Sequence, residues 1–349
     1  MLVKQVQMTT SASPGTTVWV YRNSIKALPW YTSVRVKLED PAYSSWFVPF
    51  NCSASDPLSG CHVPICDTNY DPPLCSALYH DQTQSPGFPT GDGNCAPPAC
   101  DTGSVPSGEY MFDPRAANVS INGQTLVRWF IDEYLFGPEG AGNANVSGFF
   151  FDDEFDANGP SEYEAHVNQD IGFDDAMLAS TSAAYWAYMA QVYTEVLERH
   201  KFVWQQMWNG PTPTGVMSTC PAPLVNKGSC ASDLRALCSA DSPARSRVMM
   251  YAFTPGVCGG DPGNLTDPLQ DIANFLLSRG NYAYLGHGWE GCSRVYEFPP
   301  ELSADYGEPV DELCKETAPG SQVFVREWSK ATIQMDCTSW TPTITLKDG

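Results

Sequence analysis

Four carboxylates crowd the end of one apolar run, Gly148-Phe149-Phe150-Phe151-Asp152-Asp153-Glu154-Phe155-Asp156. Three aromatics in a row predict a buried strand. Acids packed at its end repel one another, and repulsion raises the proton affinity of one of them. Glycoside hydrolysis uses such a separation: one carboxylic acid protonates the leaving oxygen while another acts as nucleophile or base. Pleat alternation sends Asp152 and Asp153 to opposite faces, so only one points straight into a site, and the pattern leaves open which. Both are catalytic candidates, Asp152 the nearer to the strand. Glu154 and Asp156 read as caps, and capping of the following helix and loop is the alternative for the whole group.

Other polar residues end other apolar runs: Arg22 and Asn23, Asp113 and Arg115, Gln206, Trp208 and Asn209, His287, Trp289 and Glu290, and Arg326, Glu327 and Trp328. Glu327 and Glu290 are the candidates for the second carboxylate, with a salt bridge from Glu327 to Arg326 or Lys330 as the alternative. Arg22, Asn23, Asp113, Trp208, Asn209, His287 and Trp289 are the candidate substrate-binding residues. Trp208 and Trp289 would stack on sugar faces, and glycine beside His287 would let a ligand approach the backbone. Asp113 with Arg115 reads as an ion pair at the rim, and His287 as a buried hydrogen-bonding group. Tyr79-His80-Asp81-Gln82 reads as a turn held by its side chains. Glu154-x-Asp156-x-Asn158-Gly159 resembles the start of a calcium loop, but Glu at its first position and Ala165 at its twelfth do not fit an EF-hand. No metal ligand set and no organic cofactor is assigned. There is no G-x-S-x-G, P-loop, G-x-G-x-x-G or H-E-x-x-H, so serine-hydrolase, nucleotide and zinc-protease chemistry lack sequence support.

These residues need a scaffold. Short apolar runs predict strands at 17–23, 108–113, 146–153, 202–208, 247–253, 282–287 and 322–328. Helical stretches fall between several of them: Gln124–Phe136, Asp174–His200 with Asp174 as cap, and Pro268–Arg279. This alternation predicts an α/β fold, a (β/α)8 TIM-type barrel with its site at the C-terminal ends of the strands. Seven strands are read where a barrel needs eight, so the first strand is expected upstream of a remnant first helix at 1–10. The predicted barrel spans 1–330, with a cysteine-rich insertion loop at 51–106. Residues 331–349 are read as a short C-terminal β addition.

The chain has 349 residues and is 42% hydrophobic with only 17% charged residues, enough to bury a large core. Its formal net charge of −21 repels phosphate, which argues against nucleic-acid and anionic-membrane partners. No apolar run reaches the roughly 20 residues of a membrane helix. The 13 cysteines contain no C-x-x-C pair and are irregularly spaced, which favours disulfides over zinc and an oxidising compartment. Sequons at Asn51, Asn118, Asn145 and Asn264 agree with secretion. The odd cysteine count and the lack of a signal-like segment are both expected if an N-terminal piece is missing.

Several blocks carry a family likeness. They are Val18-Trp19-Val20-Tyr21-Arg22-Asn23 with Lys26-Ala27-Leu28-Pro29-Trp30-Tyr31; Tyr79-His80-Asp81-Gln82-Thr83-Gln84; Gly148 to Asp153; Tyr282-Ala283-Tyr284-Leu285-Gly286-His287-Gly288-Trp289; and Arg326-Glu327-Trp328. Together they resemble the glycosyl-hydrolase-like barrel proteins, in particular hypothetical glycosyl hydrolase family fifteen, from about Thr17 to Leu346. The resemblance implies a (β/α)8 barrel and glycoside hydrolysis. Asp152 and Asp153 match the acidic end of the family's fourth strand, and no second carboxylate carries over. The expected function is a secreted glycoside hydrolase acting on a polysaccharide or a glycoprotein glycan. The alternatives are a non-catalytic carbohydrate-binding or wall protein and a metal-dependent hydrolase built on the acidic cluster.

Overall fold

The computed structural model describes residues 2–51, 66–67, 72–81, 103–161, 163, 166–205, 225, 227–240, 249–251, 268–280, 284–286 and 300–347. The chain divides into two compact units, Met1–Phe202 and Val203–Gly349.

The first unit opens with helix α1 (Leu2–Ala12), strand β1 (Trp19–Asn23), the two-residue strand β2 (Lys26–Ala27) and helix α2 (Thr32–Leu38). Strands β3 (His80–Asp81) and β4 (Glu109–Met111) follow, then β5 (Gly148–Asp152), a small hairpin of β6 (Phe155–Asp156) and β7 (Gly159–Pro160), and the long helix α3 (Asp175–Glu198). β1 and β5 run parallel in the register Trp19↔Gly148 to Asn23↔Asp152. Strand β8 (Phe202–Gln205) is third in that sheet. Gly148 is needed there, because a Cβ at this position would sit 2.4 Å from the Phe202 carbonyl oxygen. β4 pairs antiparallel with both β2 and β3, aligning Lys26 with Met111 and Asp81 with Glu109.

α3 starts where the sequence places it, with Asp174 Oδ1 accepting the Met177 amide at 2.8 Å. Leu178, Tyr185, Tyr188, Met189, Val192 and Val196 recur at helical spacing on its buried face. They meet an aromatic core. Phe130 packs edge-on to Tyr188 at 5.3 Å and to Phe112 at 5.7 Å, and Trp129 stacks on Tyr134 at 6.0 Å. The helix predicted over Gln124–Phe136 is a single α turn, Leu126–Trp129, that widens to a π-helix over Phe130–Leu135.

In the second unit, helix α4 (Cys230–Leu237), strand β9 (Met249–Tyr251), helix α5 (Pro268–Ser278) and strand β10 (Tyr284–Gly286) precede four antiparallel strands. These are β11 (Lys315–Glu316), β12 (Val323–Glu327), β13 (Ala331–Asp336) and β14 (Thr341–Leu346), side by side in chain order. Ala331, Ile333 and Met335 alternate into the core.

The (β/α)8 barrel, read from the strand and helix alternation and implied by the family resemblance, is not the architecture of the described residues. Parallel pairing is confined to the β1-β5-β8 sheet and to β9 with β10. β4, read as a barrel strand, sits in an antiparallel sheet between two-residue strands too short to leave a periodic signal. β12, read as the last barrel strand, turns back at once: Trp328 N–H donates to Ala331 O at 2.8 Å, and β13 pairs along its whole length. A tight hairpin closes a far shorter loop than a crossover does. Residue 330, read as the domain boundary, falls inside that hairpin. The expectation of an eighth strand rested on the barrel and falls with it. No helix among the described residues is long and apolar enough to cross a membrane.

Arg326 and Glu327 leave β12 on opposite faces. The Arg326 guanidinium is buried and donates to the carbonyls of Leu276, Leu277 and Arg279, at and just beyond the end of α5, and to those of Asp311 and Glu312, at 2.8–3.2 Å. It caps α5 with a positive charge where the helix dipole is negative. Arg326→Met is expected to strand those acceptors and to cost about 3 kcal/mol or more, read as a lower urea midpoint for the second unit. An unchanged midpoint would contradict this role.

Candidate functional site

Asp153 does not continue the pleat of β5. Its φ of 59° is left-handed, a conformation that Asp tolerates better than most residues. The kink ends the strand and swings Asp153 into the first unit, where it is fully buried. Three other strands supply the residues around it. Lys26 Nζ, from β2, lies 3.3 Å from Asp153 Oδ2 and 3.0 Å from Glu109 Oε2, from β4. Asn23, the last residue of β1, donates Nδ2 to Asp153 Oδ2 at 2.5 Å. Its Oδ1 accepts the amides of Ile25 and Lys26 at 2.9 and 2.5 Å, which shapes the turn from β1 to β2. Ser161 Oγ donates to Asp153 Oδ1 at 3.2 Å, and Tyr185 donates its hydroxyl to the Asp153 carbonyl at 3.2 Å. Lys26, Glu109 and Asp153 are thus a buried triad, fixed by residues from separate elements.

Aromatic rings wall the triad. The Lys26 ammonium lies 5.3 Å from the centre of the Tyr163 ring, and Tyr163 donates its hydroxyl to the Tyr110 carbonyl at 3.0 Å. His80 stacks on Tyr110 at 5.1 Å. His80 Nδ1 is 2.8 Å from the Leu78 carbonyl, which can only accept, so that nitrogen carries a proton.

Burial pushes the Glu109 carboxyl up to about 7; Lys26 opposes this, while Asp153 and Asp81 add to it. Burial likewise holds the Tyr163 and Tyr21 phenols neutral, helped by Glu109 and Asp153 at Tyr163 and by Asp152 and Asp153 at Tyr21.

No protein-family model and no curated protein matches this chain. Chemistry has to be read from the side chains themselves.

The strand-end candidates separate. Asp152 and Asn23 are cross-strand partners, and Asp152 Oδ1 accepts the Asp153 amide at 3.0 Å. Arg22 points the other way. It is fully buried, donates to the carbonyls of Tyr134 and Glu139, and lies between the rings of Tyr31 and Tyr134 at 4.7 and 5.0 Å. Asp113 chelates Arg115 at 2.7 and 2.8 Å and caps the short helix that follows. Asp156 accepts the Asn158 amide at 2.6 Å in the β6–β7 turn, so the calcium-loop likeness is a hairpin turn. Glu327 belongs to the second unit. Lys347, with Thr332, holds its carboxyl below the usual range, the reverse of what a general acid requires. Trp208, Asn209, His287, Trp289 and Glu290 lie outside the described residues. Among the described residues no group of three or more His, Cys, Asp or Glu side chains is placed to hold a metal ion.

Sequence reading misses Lys26 and Glu109. A usable signal exists for Glu109, a lone charge inside the apolar run Glu109-Tyr110-Met111-Phe112. Gly108 before it lets β3 come close, since a Cβ there would lie 3.1 Å from the Asp81 carbonyl oxygen.

Glu109 also sets a pH dependence. Its carboxyl titrates near 4.5 when free and near 7 in the fold. The folded protein therefore binds this proton more tightly than the unfolded chain. The stabilisation is fully present below pH 4.5 and is lost as pH rises through about 7. Wild-type stability is expected to fall by roughly 3 kcal/mol across that window from this group, and Glu109→Gln should lack that part of the slope. Parallel urea titrations of the two proteins at pH 5 and 8 measure it; identical slopes would refute it.

Proposed function

We propose that the chain is a glycoside hydrolase in which Glu109 is the general acid and Asp153 the nucleophile. The observation that carries this reading is the pair of buried carboxylates from separate strands on one ammonium, with Glu109 tuned to hold a proton near neutrality. Glycosidic cleavage asks for such a division of labour: a protonated acid at the leaving oxygen and an ionised carboxylate at the anomeric carbon. Lys26 and the Asn23 amide both hold Asp153 Oδ2 in place. The charge of −21 favours a neutral glycan over a uronate or sulfate.

The family resemblance implies the same activity, and disulfides fit an extracellular setting. A digestion screen over neutral polysaccharides and glycoprotein glycans, read by chromatography, is the test. Turnover that Asp153→Asn abolishes in a folded protein supports the reading. Glycan binding that survives Asp153→Asn, with no turnover in either protein, would replace it with the non-catalytic carbohydrate-binding alternative.

A further inference from the structure

Two of the sequons have a structural setting that the hydrolase reading does not use. Asn118 of Asn118-Val119-Ser120 follows the short helix Pro114–Ala116 and precedes the hairpin strand Ser120–Ile121, and Asn118 and Ser120 are both exposed. Asn145 of Asn145-Val146-Ser147 is exposed in the turn that leads into β5. Neither asparagine's side-chain amide hydrogen-bonds to any described residue. In each sequon the middle Val holds the backbone: the Val119 carbonyl accepts Trp46 Nε1 at 3.1 Å, and the Val146 carbonyl accepts Lys201 Nζ at 2.6 Å. The anchored valines leave the flanking asparagines directed to solvent.

Asn145 also lies at the opposite end of β5 from Asp153. Ser147 N–H donates to the Val18 carbonyl at 2.8 Å, so this end of β5 is also where β1 begins. Five residues at about 3.3 Å each separate it from the triad. A bulky group there would leave the triad's end of the sheet clear.

We propose that Asn118 and Asn145 are N-glycosylation sites. The donor is an oligosaccharide linked to a lipid pyrophosphate. The asparagine Nδ2 forms a bond to the anomeric carbon, the bond from that carbon to the pyrophosphate oxygen breaks, and the lipid pyrophosphate leaves with the electron pair. The amide proton passes to base. The three disulfides among the described residues, Cys66–Cys75, Cys230–Cys337 and Cys238–Cys314, suit the oxidising compartment in which this reaction takes place.

The full chain, secreted from a eukaryotic host behind a heterologous leader, is the protein to test. Its intact mass is read before and after treatment with a peptide-N-glycosidase, and peptides are mapped for the Asn-to-Asp conversion that release leaves behind. Both Asn118 and Asn145 should be converted. Ser120→Ala and Ser147→Ala, which leave each asparagine in place, should each remove one glycan's mass. Secreted, folded protein with unmodified asparagine at both positions would overturn the proposal, as would glycan mass that survives both serine substitutions at these peptides. Neither outcome depends on hydrolase activity.

Discussion

Glu109→Gln is expected to lower turnover about 10²–10⁴-fold on a glycan whose leaving group is an ordinary sugar alcohol, the range that a positioned acid supplies. On an aryl glycoside the loss should shrink to a small factor, because a phenolate leaves without a proton. Asp153→Asn should be equally damaging on both substrates, since an amide cannot form the glycosyl intermediate. The contrast between substrates separates a catalytic role from a structural one. A variant that merely loosened the triad would lose activity on both alike. The pH profile gives a second reading. Wild-type kcat/KM on the natural glycan should fall above pH 7 as Glu109 deprotonates, and that limb should vanish in Glu109→Gln. Equal losses on both substrates, or an alkaline limb that persists in the variant, would remove Glu109 from the acid's role and leave Lys26, Glu109 and Asp153 as a buried ionic core.

The triad shows what the sequence carries and what it does not. Asp153 is legible because acids that follow an apolar run are visible at a glance. Its place is not, because alternation assumes a strand that continues, and the left-handed kink at Asp153 ends it. Arg22 and Asn23 look alike as strand-end polar residues, yet a one-residue step in the pleat sends Arg22 into a cage of carbonyls and tyrosines and Asn23 onto the site. Lys26 and Glu109 are hidden for another reason. Their strands are two and three residues long, below the length at which any period can be read, and they meet only through pairing between residues more than 80 positions apart. The barrel reading fails in the same way. Strand locations come from local composition and are largely right, while partners come from turn chemistry and long-range packing. The turn after β12, Trp328-Ser329-Lys330, contains neither Gly nor Asn-Gly to announce a hairpin.

The second large effect lies in the other unit. Cys230 and Cys238 bracket α4, eight positions apart and near enough to two turns to share a face. Cys314 precedes β11 and Cys337 follows β13, so the two bridges tie one short helix to a sheet across three strands. The bridges are nested. Alone, the outer bond, with a separation of 107 residues, would restrict the unfolded chain by about 4.7 kcal/mol. With the inner bond of separation 76 intact, it closes only the remaining thirty or so residues, worth about 3–4 kcal/mol. Cys230→Ala with Cys337→Ala should therefore cost about 3–4 kcal/mol, and the matching change at Cys238 and Cys314 a similar amount. Removing both bridges should cost more than either pair suggests, because whichever bond is lost second was closing a longer loop. Alanine is the suitable replacement, since Cys230 is only 2% exposed and a serine hydroxyl there would add an unmet hydrogen bond. Hydrogen exchange reads the effect by segment: protection over 331–336 should fall in each variant and collapse in the quadruple one, while protection over 148–152 in the first unit stays as it was. Strictly additive losses would mean that loop closure in the unfolded chain does not set what these bridges contribute.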